Sequence, residues 1–143
     1  MDELENLHRV GLKATLPRMR VLEIIRSSPQ RHLSADDVFR RLMDEKATVG
    51  LASVYRVLAQ LEQAGILKRT TFEAGRAVFE IDEGAHHDHL LCVHCGRVDE
   101  FRDEVIERRQ VAIAAERGFE LAAHSLALYG VCAVCRDVPG DRR

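Results

Sequence analysis

The chain of 143 residues contains no tryptophan, which excludes little, but its other absences carry more weight. It opens "MDELENLHRV", with no basic stretch leading into an apolar one, so no secretory signal is expected there. No apolar run approaches the roughly 20 residues that a membrane-spanning helix needs. No cysteine lies outside two C-x-x-C pairs, Cys92 with Cys95 and Cys132 with Cys135, which leaves none for a framework of structural disulfides. These absences point to a cytoplasmic protein, without a membrane partner, whose thiols serve metal or redox chemistry. The tail "RDVPGDRR" holds no histidine, and no metal role is expected of it.

What is present is an ordinary globular composition, 46% hydrophobic and 31% charged, long enough for one domain or two small ones. The net charge of -2 conceals an asymmetry. Residues 11–76 hold 12 Lys/Arg against 7 Asp/Glu, a net of +5, whereas residues 77–143 hold 8 against 13, a net of -5. A basic half suits a polyanion and an acidic half suits cations.

The first half reads as helical. "TLPRMRVLEIIRSSP" has Thr15 as a cap, Pro17 in a first turn, Met19, Leu22 and Ile25 on one side, and Pro29 as a stop. "SADDVFRRLMDE" begins with Ser34 and an acid three residues on, a capping-box pattern, with Val38, Phe39, Leu42 and Met43 on one face. "GLASVYRVLAQLEQAG" places Val54, Val57, Leu58 and Leu61 inward and Gly65 at the end. Ala52, Ser53, Tyr55, Arg56 and Gln60 fall on the opposite face. A hydroxyl, a phenol and a guanidinium displayed together are groups that meet phosphates and base edges in a major groove. "ILKRTTF" and "RAVFEI" follow as a hairpin joined by "EAGR". Three helices and a hairpin make a winged helix-turn-helix, with Lys13 and Arg18 upstream as candidates for backbone or minor-groove contact.

The second half concentrates metal-binding side chains in "AHHDHLLCVHCGRVDEF". The two C-x-x-C pairs, 36 residues apart, suit a closed tetrahedral zinc site. A redox role is the rival, and neither pair is expected at the start of a helix, where a thiolate would be stabilised. Read as a strand, the histidine run sends His87 and His89 to one face and His86 and Asp88 to the other. The same alternation separates Asp99 from Glu100. "RDEVIERRQVAIAAERG" reads as a helix bringing Glu107 towards the sheet, and "FELAAHSLALYG" as a strand carrying His124. Mixed nitrogen and oxygen donors suit Fe2+, Mn2+ or Zn2+. His8 and His94 are read as structural or surface residues.

"GLKATLPR", "GLASVYRVL" and "HHDHLLCVHCGRVDEF" with the downstream cysteine pair together resemble the ferric uptake regulator family over nearly the whole chain. The resemblance implies an α+β fold: a winged-helix DNA-binding domain over residues 1–82, a hinge near 82–85, and a dimerisation domain over 83–143. It implies a homodimer, with a tetramer left open, that represses iron-uptake genes by binding A/T-rich palindromic double-stranded DNA. It assigns His32, Glu80, His87, His89 and Glu100 to a sensory site and His86, Asp88, Glu107 and His124 to a second one. Cys92, Cys95, Cys132 and Cys135 would hold structural Zn2+. The DNA contacts would be Lys13 in the minor groove and Tyr55 and Arg56 on the recognition helix. Glu80 and Glu100 stand where peroxide-sensing relatives use aspartates, which favours Fe2+ as the regulatory ion, with Mn2+ or Zn2+ as substitutes. Zinc-sensing, manganese-sensing and peroxide-sensing branches remain alternatives. A zinc-dependent hydrolase or deaminase is the alternative from another class, but the cluster has no His-x-Glu and neither cysteine pair follows a proline. No enzymatic activity and no small-molecule substrate are expected.

Overall fold

A computed structural model describes residues 2–137, which fall into two compact units divided between Gly84 and Ala85. The division lies within the expected hinge segment and past the boundary drawn after Asp82. Within the tail that begins at Arg136, residues 138–143 lie outside the described residues.

The first unit is built on four helices. Helix α1 (Glu3–Arg9) was not foreseen; Asp2 caps it, accepting from the Glu5 N–H at 2.8 Å, and Leu7 anchors it in the core. An ion pair from Arg26 to Glu3 ties it to α2 (Leu16–Ser27). Thr15 caps α2 and Pro17 sits in its first turn, where its missing N–H costs nothing. The buried face of α2 holds Val21 and Ile24 beside Leu22 and Ile25, and is broader than the stripe read from the sequence.

Helix α3 (Ala35–Asp44) starts with a complete capping box: the Asp37 N–H donates to Ser34 Oγ at 3.1 Å and the Ser34 N–H to Asp37 Oδ2 at 3.0 Å. Val38 and Leu42 are fully buried, whereas Met43, expected on the same face, is 59% exposed. Met43 sits at the edge of the stripe in the last turn, and the core does not reach it. Helix α4 (Leu51–Gln63) buries Val54, Val57, Leu58 and Leu61, and Gly65 follows its end at φ +81°, a left-handed conformation that a side chain would oppose.

Strands β1 (Leu67–Thr71) and β2 (Ala77–Ile81) form the antiparallel wing, with Lys68 opposite Glu80 and Arg69 opposite Phe79. A bridge between Leu33 and Phe79, with N–H to carbonyl distances of 3.0 and 2.7 Å, pins the α2–α3 connection to the wing. Each fully buried leucine in this core contributes about 1.5–3 kcal/mol, so the unit has a hydrophobic centre of its own.

The second unit is organised differently. A three-stranded sheet has the order β4-β3-β5, with β3 (Asp88–Cys92) antiparallel to β4 (Val98–Phe101) and parallel to β5 (Ala127–Gly130). The parallel pair requires a crossover, which α5 (Glu104–Glu116) supplies. Asp103 caps α5 through the N–H groups of Val105 and Ile106, and Gly118 follows its end at φ +81°. The strand expected over residues 119–130 is regular only at 127–130, so His124 stands in the extended stretch before β5. A strand is defined by its partner, and β3 covers only the last part of this one.

Few apolar side chains are buried in this unit. Helix α5 buries none, and Val105, Val111, Ile113 and Phe119 are 41–72% exposed. Leu91 and Cys92 lie inside, together with the polar Asp88 and His89. Among the described residues no helix is long and apolar enough to cross a membrane.

Candidate functional site

The face of α4 opposite its buried stripe presents Ala52, Tyr55 and Arg56 as exposed side chains and Ser53 as a half-buried one. Gly50 at the N-cap offers no side-chain acceptor, and the first turn of α4 holds no acid to repel a phosphate. Lys13 is exposed on the segment between α1 and α2. Arg18 is held within the protein: its Nε and Nη2 donate to Gln60 Oε1 at 3.2 and 3.1 Å, and its Nη1 to the Lys13 carbonyl at 3.0 Å. Gln60 was visible in the sequence as part of the outward face; nothing in its spacing revealed its partner 42 residues away.

The four cysteines converge, their sulfurs all lying within 4.8 Å of one another. Cys95 Sγ and Cys132 Sγ are 3.8 Å apart, the edge of a tetrahedron whose bonds are about 2.3 Å, so the set fits Zn2+. Backbone N–H groups of Cys132 and Cys95 point at Cys92 Sγ at 3.4 and 3.5 Å and hold its thiol down to about 5 from an ordinary 9.0, Cys132 contributing most. Cys135 is pushed up to about 12, chiefly by hydrogen bonding with the Cys132 side chain. One sulfur is thus prepared as a thiolate, while another awaits a cation before it gives up its proton. Cys132 is the N-cap of the four-residue helix α6 (Ala133–Arg136), which corrects the expectation that neither pair begins a helix. That position alone would favour a reactive thiolate, but the convergence of four sulfurs is the geometry of a closed metal site.

A second cluster gathers on the other face of the histidine run. His86 Nε2 is 3.2 Å from Asp88 Oδ1 and 3.6 Å from Glu107 Oε1, and His124 Nε2 is 3.2 Å from Glu107 Oε2. The two imidazoles meet edge to face at 4.3 Å. Asp88 is fully buried, and its Oδ2 has no hydrogen-bond partner among the described residues. A buried carboxylate oxygen facing two imidazoles and a second carboxylate fits a divalent cation.

The five remaining predicted ligands form a pair in the first unit and a group of three in the second. In the first unit the Glu80 carboxylate in β2 meets the His32 imidazole, and the Leu33–Phe79 bridge fixes that encounter. In the second unit His87 Nε2 lies 3.0 Å from Glu100 Oε2, and the His87 and His89 rings are 4.9 Å apart. His89 sits directly opposite Glu100 across β3 and β4. Asp99 turns away and takes the Arg97 guanidinium in a fork of 2.9 and 3.0 Å.

A winged helix in one unit, with cysteine and histidine–carboxylate clusters in the other, is the architecture of a metal-binding regulator of the winged-helix class. The chain belongs to the ferric uptake regulator family, whose model matches residues 9–129. It is 60% identical over 132 residues to the ferric uptake regulation protein of Cupriavidus metallidurans, covering 92% of each chain. It is similar to the crystal structure of the Vibrio cholerae ferric uptake regulator, with a TM-score of 0.84 and 48% identity over 92% of this chain and 100% of that one. The Francisella tularensis ferric uptake regulator, solved with iron, matches at a TM-score of 0.83 and 40% identity, covering 89% of this chain and 96% of that one.

Proposed function

We propose that this protein is a cytoplasmic repressor that senses ferrous iron and, as a homodimer, controls iron-uptake genes by binding A/T-rich palindromic operators. The observation that carries this reading is that the winged-helix unit itself contains a buried imidazole–carboxylate pair, His32 and Glu80. Burying such a pair is costly, and a carboxylate beside an imidazole is a donor set that a divalent cation can use.

In this reading His32, Glu80, His87, His89 and Glu100 are the ligands of the regulatory ion, as the family resemblance implies. When bound, a divalent cation supplies the charge that lets these donors converge. Glu80 would transmit that state to the wing because it is part of β2, and His32 to α3 because it lies two residues before that helix's Ser34 cap. Glu100 and His89 stand opposite each other across β4 and β3, so two strands position them. Fe2+ suits these donors, as do Mn2+ and Zn2+. The second cluster, His86, Asp88, Glu107 and His124, would hold a further ion, and the four cysteines a structural Zn2+.

Tyr55 offers its ring to thymine methyls, Arg56 its guanidinium to a base edge or phosphate, and Lys13 its ammonium to a narrow A/T-rich minor groove. Two copies related by a twofold axis place two α4 helices on successive half-sites. The exposed apolar residues of α5 and the stretch after it are the surface a second copy would cover. Coupling between metal and DNA of about 1–3 kcal/mol would move affinity some 5- to 150-fold.

The test is an anaerobic titration of the zinc-containing protein with Fe2+, Mn2+ and Zn2+, following a labelled A/T-rich palindrome by anisotropy at fixed salt. Binding that rises with free Fe2+ supports the reading; binding indifferent to all three ions refutes it.

A further inference from the structure

Lys13 and the exposed face of α4 belong to different segments, yet one side chain joins them. Arg18 spends three of its five N–H groups inside the protein, two on Gln60 Oε1 and one on the Lys13 carbonyl. The same carbonyl accepts from the Thr15 N–H at 2.9 Å, so the backbone at Lys13 is held from two sides. The flanking residues Leu12 and Ala14 pack against the core, and the Leu12 N–H donates to the Leu7 carbonyl at 2.9 Å. Lys13 therefore projects outward from a short anchored segment.

At its other end the bridge lands on the reading face. Gln60 follows Arg56 by four residues and Ser53 by seven, which puts all three on one stripe of α4. The planar fork of Arg18 is what allows one side chain to engage two acceptors from different segments. A lysine has no such fork. Nothing in the fold of the core requires the link, because α2 and α4 already pack through Leu22, Ile25, Leu58 and Leu61.

We infer that Arg18 and Gln60 are positioning residues that set the distance between the minor-groove lysine, Lys13, and the major-groove residues of α4. This inference rests on the reading of Lys13, Tyr55 and Arg56 as DNA contacts. The bridge fixes how far the A/T-rich element lies from the bases under α4, and so contributes to operator selection without touching a base.

The experiment compares full-length, iron-loaded wild type with Gln60→Met, Arg18→Lys, Lys13→Ala and the double variant Lys13→Ala/Gln60→Met. Each is titrated onto an A/T-flanked palindrome and onto the same palindrome with G/C flanks, with urea unfolding run alongside. Gln60→Met and Arg18→Lys are expected to bind the A/T-flanked operator about tenfold more weakly, with unfolding midpoints unchanged. On the G/C-flanked operator the two variants should lie near wild type, because the lysine contact is already weakened there. The double variant should bind no more weakly than Lys13→Ala alone, since Gln60 acts through Lys13. Additive losses, or Arg18→Lys binding like wild type, would overturn the inference. If wild type fails to discriminate the palindrome from unrelated DNA, the proposed function falls first and this inference with it.

Discussion

The carboxylate of Glu80, in the wing strand β2, meets the imidazole of His32, and both side chains are 2% exposed. Neither residue faces water, and neither belongs to a hydrophobic stripe. Burying an ionised carboxylate costs several kcal/mol unless positive charge accompanies it. In the proposed function this pair is where a cation would act on the winged helix.

Replacing Glu80 by glutamine keeps the shape and an acceptor oxygen but removes the charge. Glu80→Gln is expected to leave the stability of the iron-free protein within about 1 kcal/mol and to weaken Fe2+ binding by at least about tenfold. Urea unfolding and anaerobic calorimetry check the two halves of this prediction. Unchanged iron affinity would remove Glu80 from the sensory set.

The four-cysteine site supports a unit with little apolar core. Stripping zinc with a strong chelator, or substituting Cys92→Ser, should loosen the second unit while the first, which contains no cysteine, keeps its own cooperative transition. Hydrogen exchange resolved by segment would show protection lost in β3 and β5 and retained in α2 and α4. In the stripped protein the Cys92 thiol, held near 5 when folded and at an ordinary 9.0 when unfolded, adds stability as pH rises from about 5 to 9 and loses that contribution as pH falls through about 5. Cys135, pushed up to about 12, acts in the opposite sense above pH 9.

Arg56 is exposed on α4 and packs in no core. Arg56→Ala should weaken operator binding by about 1–3 kcal/mol while zinc content and unfolding remain as in wild type. Loss of a metal in this variant would mean that the helix has been assigned the wrong face.

Ile113, Phe119 and Leu121 line a groove of about 580 Å3 beside α5, and all three are exposed in the single chain. Ile113→Glu should shift sedimentation at micromolar concentration from dimer towards monomer, with at least about a tenfold weaker association. Identical sedimentation of variant and wild type would place the subunit contact elsewhere.

Local signals were the legible ones. Thr15 and Ser34 cap helices as their neighbours predict, Val54, Val57, Leu58 and Leu61 bury as their spacing demands, and Gly65 and Gly118 follow helix ends. Strand alternation placed His87 with His89 and His86 with Asp88, although β3 itself begins only at Asp88. The misses depend on contacts between distant segments or on very short elements. Helix α1 is a mostly polar seven-residue helix whose place is set by Leu7 and the Glu3–Arg26 pair. The Arg18–Gln60 link and the Leu33–Phe79 bridge leave no periodic trace. The shortened β5 and the cap at Cys132 follow from which strand finds a partner and where a single turn of helix begins.

In the proposed function iron and operator DNA are linked through this one chain, and such linkage is reciprocal. The most direct measurement is the Fe2+ affinity of the zinc-containing protein, determined anaerobically with and without saturating operator DNA. Iron bound more tightly with operator, by the same factor by which iron tightens operator binding, is the predicted result. Equal iron affinity in the two conditions would contradict it.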